Sequence, residues 1–181
     1  MRQQDFQSNS ILSKGCGCLS LSLFSLIFFG IILEIVLPSI LVMAKNAKQS
    51  EAKQYVSSMN KGQQAYYAER SAFSNYIPDL GLGIKTETTN YKYSTRVTKT
   101  AAFSYAEAKG NTIKNYFGGV FFVPAKELEP NADRDEVRTV SILCETEDRP
   151  LFRFKPPVQP AEPTYQNGEV ICGKGTTAVT K

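Results

Sequence analysis

Side chains able to do chemistry are few in this sequence. Its four cysteines form two pairs, Cys16 with Cys18 and Cys144 with Cys172, and it has no histidine. The missing imidazole excludes Ser-His-Asp and Cys-His catalysis and most catalytic zinc sites. It also removes the general base most used near neutral pH. The acids Glu127, Glu129, Asp133, Asp135 and Glu136 crowd into one solvated run, not a spaced acid–base pair. Two thiols one residue apart at Cys16-Gly17-Cys18 need further metal ligands that the sequence does not supply. Lys14 stands two residues before Cys16 with no apolar segment ahead of it, so a lipoprotein site fits badly as well. These thiols read as small side chains near the cytoplasmic face of a membrane. No catalytic residue, cofactor site or metal site is assigned, and the chain reads as non-enzymatic.

The later pair carries a different expectation. Cys144 and Cys172 bracket a stretch holding Pro150, Pro156, Pro157, Pro160 and Pro163. A disulfide closing such a loop contributes about 3 kcal/mol by restricting the unfolded chain, and it requires an oxidising compartment. The formal net charge of +4 comes from scattered lysines with no arginine-rich block, so no dedicated nucleic-acid site is expected.

The element that positions everything else is a predicted helix from about Leu19 to Arg70. Its first half, Leu19 to Leu41, carries one charge, Glu34, and one proline, Pro38. About 20 apolar residues cross a bilayer core of roughly 30 Å, so this run is long enough to span. It is too long for an ordinary secretory signal and flows into a helical pattern instead of a cleavage site. Pro38 lies four residues beyond Glu34 and predicts a kink or loosened turn there. A carboxylate in an apolar span faces a partner or water, unless it lies near enough to the interface to reach headgroups. Lys14 before the run and Lys45, Lys48 and Lys53 after it leave the charge rule near a tie. The disulfide expectation then places the C-terminal head outside the cytoplasm.

The second half, Val42 to Arg70, has no proline and is rich in Ala, Gln, Lys and Glu, which lose little entropy in a helix. Ala44, Ala47, Ala52, Tyr55, Val56, Met59 and Tyr66 recur mainly at three- and four-residue steps and predict one covered face. Lys45, Lys48, Lys53 and Lys61 are read as a solvated face. Pro78, Gly81 and Gly83 then make a loop, after which the period changes to two. Strands are predicted over Asn90–Thr100, Ala101–Ala108, about Gly118–Val123 and Val137–Cys144. The expected fold is α+β: a long N-terminal helix whose second half packs on a sheet of three or four antiparallel strands. The segments are a polar cytoplasmic leader at 1–15, a membrane-spanning half at 16–43, an amphipathic half at 44–70 and a head at 71–181 closed by its C-terminal cysteines.

Residues 36 to 67 resemble a known family. Val36-Leu37-Pro38-Ser39, the run Ala44-Lys45-Asn46-Ala47-Lys48-Gln49-Ser50-Glu51-Ala52-Lys53, then Tyr55-Val56-Ser57-Ser58-Met59-Asn60 and Gln63-Gln64-Ala65-Tyr66-Tyr67 are similar to the type IV pilin-like G/H branch, often called general secretion pathway protein H. The segment Gly118 to Phe121 and the Cys144…Cys172 tail look similar too. The resemblance implies a helical stalk half in the membrane, a sheet head and a disulfide-closed C-terminal region. Aligning Pro38 with the family proline places leader cleavage among Gly15, Cys16 and Gly17. The family glutamate five residues beyond the cut then falls at Leu21, or at Ser20 or Ser22 for neighbouring cuts, none of which is acidic.

The expectation is therefore a minor or specialised structural subunit of a type IV pilus or secretion pseudopilus, anchored in the inner membrane before assembly. Ser20, Ser22, Ser25 and Gly30 permit close helix approach. Its partners are other pilin or pseudopilin subunits and inner-membrane lipid, with a prepilin peptidase and an assembly platform. The competing reading is an uncleaved single-pass protein whose extracytoplasmic binding domain never polymerises.

Overall fold

The computed structural model describes residues 11–129, 131–133, 136–147 and 161–179. Residues 1–10 of the expected leader, and the run 148–160 with four of the five loop prolines, lie outside the described residues. Helix α1 runs Ile11–Arg70 with Pro38 inside it. It ends where Ser71 turns into the left-handed region (φ 53) and gives its N–H to the Tyr67 carbonyl at 2.8 Å. Arg70 places a cation at that carbonyl-rich end. A 3-10 turn at Ile77–Leu80, opened by Pro78 and closed by Gly81 at φ 66, leads into the sheet.

Strands β1 (Tyr91–Val97), β2 (Ala101–Ala108), β3 (Tyr116–Pro124) and β4 (Val137–Thr146) form an antiparallel meander. A short helix, α2 (Ala125–Leu128), lies between β3 and β4. The hairpin β5 (Thr164–Gln166) and β6 (Glu169–Ile171) forms a second, two-stranded sheet. Strand β7 (Thr176–Ala178) then pairs with β4, giving the order β1-β2-β3-β4-β7. The sheet thus has five strands, not the expected three or four. The fifth is three residues long and too short to show a period.

Two compact units result, residues 1–44 and 45–181. Within the second, α1 covers one face of the sheet. Ala52, Val56 and Met59 pack there with Tyr91, Tyr93, Ala106 and Tyr116, and Ile77 and Leu80 join from the loop. The opposite face is also covered. Ala101, Phe103, Phe121 and Val123 are buried beneath Tyr165 and Val170 of the hairpin and Leu128 of α2. This second core was not anticipated, and it explains why β3 is apolar almost throughout. Strands buried on both faces lose the polar alternation of a half-exposed strand.

Candidate assembly interface

From Phe24 to Met43, α1 exposes its large apolar side chains: Phe24, Leu26, Phe28, Leu41 and Met43 are each about 70 % accessible. Among the described residues, α1 is the one helix long and apolar enough to cross a membrane. Glu34 is exposed within this stretch, with Ser25 and Gly30 on the same segment. Gly15, Cys16 and Gly17 fall on the first turns of α1, and their side chains lie outside the description. Ser20 and Ser22 share that limit.

What holds the head to the helix is a polar seam as much as an apolar one. The covered stripe of α1 is Ala52, Val56, Met59, Asn60 and Gln63; Ala44 and Ala47, expected on it, are exposed. Asn60 Nδ2 donates to the Ile142 carbonyl at 2.9 Å. Gln63 clamps the Ser74 peptide: its Nε2 donates to the carbonyl at 2.6 Å, and the Ser74 N–H donates to Oε1 at 3.0 Å. Gln64 Nε2 donates to Thr139 at both the carbonyl and Oγ1. Hydrophobic periodicity passed over these three, because a buried amide looks like a solvated one in a sequence. A cue was available in Gly118: a Cβ there would run into the Asn60 amide. The next residue, Gly119, faces the other way and makes room for Pro163 and the Phe121 ring.

Charged groups complete the attachment. Glu145 sits between Lys114 Nζ at 2.8 Å and Lys53 Nζ at 3.3 Å. Lys53 therefore leaves the solvated set to which the sequence assigned it. Burial pushes the Glu145 carboxyl up, but the Lys114 and Lys53 ammonium groups together hold it below its ordinary value. For Glu51, hydrogen bonds from Thr88, Asn90 and Tyr93 likewise outweigh burial and lower it. Tyr93 Oη donates to Glu51 at 3.1 Å, and Asn90 Nδ2 at 3.3 Å.

The C-terminal segment crosses the second face like a strap. A disulfide joins Cys144 of β4 to Cys172, with Cα atoms 5.8 Å apart. Glu162 accepts hydrogen bonds from the Arg96 guanidinium and from the Tyr105 hydroxyl. Burial raises the Glu162 carboxyl, but these two donors bring it below its ordinary value. Burial, reinforced by the bond to Glu162, pushes the Tyr105 hydroxyl up to about 12. Tyr165 Oη donates to Glu127 at 3.0 Å, and Arg138 bridges Glu129 and Glu136. The expected acidic run is thus partly engaged; Asp135 lies outside the described residues. Gly173 leaves no room for a Cβ where the Ala161–Glu162 backbone passes. These contacts fasten the strap to the sheet and to α2. Among the described residues, His, Cys, Asp and Glu side chains form no cluster able to hold a metal.

Fold and surface together define a pilin-like protein: a helix whose N-terminal part is exposed and apolar and whose C-terminal part supports an antiparallel sheet. Residues 49–173 match the family model of type IV pilin-like G and H proteins, and the chain belongs to that family. No curated protein and no solved structure matches it. Pilin-like structural families are generally non-enzymatic, and the family points to interaction with other pilin subunits. The exposed apolar part of α1 is consistent with single-pass membrane anchoring.

Proposed function

We propose that this chain is a minor or specialised subunit of a type IV pilus or secretion pseudopilus, stored in the inner membrane before assembly. In this reading residues 1–15 are a cytoplasmic leader, 16–43 span the membrane, 44–70 carry the head, and 71–181 form an extracytoplasmic head. The observation that supports it best is the exposed apolar stretch Phe24–Met43 on a helix that the head grips from Gln49 onward, where the Lys114 N–H donates to the Gln49 Oε1. Apolar surface of that extent needs lipid first and neighbouring helices later. Moving from lipid to a helix bundle exchanges one apolar environment for another, so van der Waals fit and paired polar groups set the specificity.

A prepilin peptidase acting among Gly15, Cys16 and Gly17, and an assembly platform, are the partners such a route requires. The missing carboxylate at Leu21 favours a subunit present in few copies over a bulk polymer. That same gap is the one observation favouring a tether that never polymerises. Cross-linking in intact membranes separates the two. The assembly reading expects cross-linked species above the monomer, this chain joined to copies of itself or to other pilin subunits; a single monomer band at every cross-linker dose contradicts it.

A further inference from the structure

Glu34 is the one charged residue between Leu19 and Ala44, and it is exposed on α1. Pro38 sits in the same helix four residues later and has no N–H to offer the Glu34 carbonyl. Carboxylate and carbonyl together make this turn rich in acceptors and short of donors, in the middle of an apolar stretch. A carboxylate at such a depth is costly in hydrocarbon and marks a partner. The nearest cations beyond it are Lys45 and Lys48, eleven and fourteen residues on. They are about 16 and about 21 Å farther along a helix rise, beyond the reach of Glu34 in its own chain. Both lysines are exposed, and neither has an ion pair among the described residues. By contrast Lys53 is held by Glu145, and Lys109 by Glu87. Eleven and fourteen residues are close to three and four whole helical turns, so a parallel copy shifted by that distance brings one of these ammonium groups level with Glu34. An ammonium carries three donors, enough for a carboxylate and an orphaned carbonyl at once.

We propose that Glu34 of one copy pairs with Lys45 or Lys48 of a neighbouring copy displaced by about 16 to 21 Å along the helix axis. The pairing rests on the assembly reading and supplies what that reading lacks, a charge contact fixing the stagger between subunits. It also gives the paired state an advantage over the lone helix in lipid, because the intramembrane carboxylate gains a counter-charge there.

The test uses the full chain in its own membrane with Cys16 and Cys18 left in place, the disulfide arm being read against the same tagged chains without introduced cysteines. Glu34→Lys alone, and Lys45→Glu with Lys48→Glu, should each lower cross-linked multimers at least about tenfold, and combining all three should restore them. Alkaline extraction of every variant checks that it remains membrane-integrated. Independently, chains carrying Glu34→Cys under one tag, co-expressed with chains carrying Lys45→Cys or Lys48→Cys under another, should form a mixed disulfide within the multimers for one of the two positions. Multimers unaffected by Glu34→Lys, no restoration by the reversed set among integrated variants, or no mixed disulfide would overturn the pairing while leaving assembly standing. A wild type that forms no multimers would overturn the assembly reading and the pairing with it.

Discussion

Asn60 is the side chain on which helix and sheet are registered. It gives its amide N–H to Ile142, while its Oδ1 is buried against Gly118 without a hydrogen-bond partner among the described residues. An Ala at Gly118 should therefore cost about 1 to 3 kcal/mol in urea unfolding of the detergent-solubilised chain. Adding Asn60→Ala to that variant should cost less than Asn60→Ala does alone, with a coupling of about 1 kcal/mol; additivity would show the two do not meet. The acids define a second expectation. Glu51, Glu145 and Glu162 all lie below the ordinary 4.5 when folded. The unfolded chain then binds more protons, so their contribution is fully present above 4.5 and is lost as pH falls through the folded values. Unfolding midpoints should stay level from pH 7 to 5 and drop below 4.5. Glu145→Gln should lower the midpoint at pH 7, removing the carboxylate that Lys53 and Lys114 share, and should flatten the acid drop. A midpoint that rises on acidification contradicts the arrangement.

At the scale of elements the strap is the feature most open to test. Removing the Cys144–Cys172 link by Cys172→Ser should lower stability by roughly 3 kcal/mol. Proteolysis should reach residues 161–172 first, while the α1–sheet core persists because its contacts are separate. Equal stability with and without reductant would contradict a structural disulfide. The elements were unequally legible from sequence. Alternation placed β2 at Ala101–Ala108 without error and β1 and β4 nearly so: Tyr91 and Tyr93 of β1 both join the core beneath α1, while β4 divides Val140 and Leu143 between the two cores. The strand β3 begins earlier than its apolar run suggests, because Tyr116 and Phe117 serve opposite faces. Strands β5, β6 and β7 span three residues each, shorter than any period can register. The strap's second core was hidden for a related reason: its parts, Phe103, Phe121 and Val170, come from strands distant in sequence. Glu34 and Pro38 stand out in the sequence because a charge or a proline in an apolar run contradicts its neighbours; the roles given to them belong to the proposal.

Over the whole molecule the division of labour follows the change in surface along α1. Residues from Phe24 to Met43 expose apolar groups, and those from Ala52 onward bury theirs against the head. Anchoring therefore belongs to the first stretch. An Ile31→Arg substitution, near the centre of that stretch, should disfavour insertion by about 2.5 to 3.5 kcal/mol and move protein from the alkaline-washed membrane to the supernatant. In the fraction that fails to insert, the Cys144–Cys172 disulfide should not form, since that head stays in the reducing cytoplasm. The reading as an assembling subunit is tested most directly by shearing surface filaments from cells and measuring the intact mass of this chain in them. The account predicts the chain in that fraction with a mass beginning at Cys16, Gly17 or Cys18. Full-length protein confined to membranes and absent from every filament would contradict it.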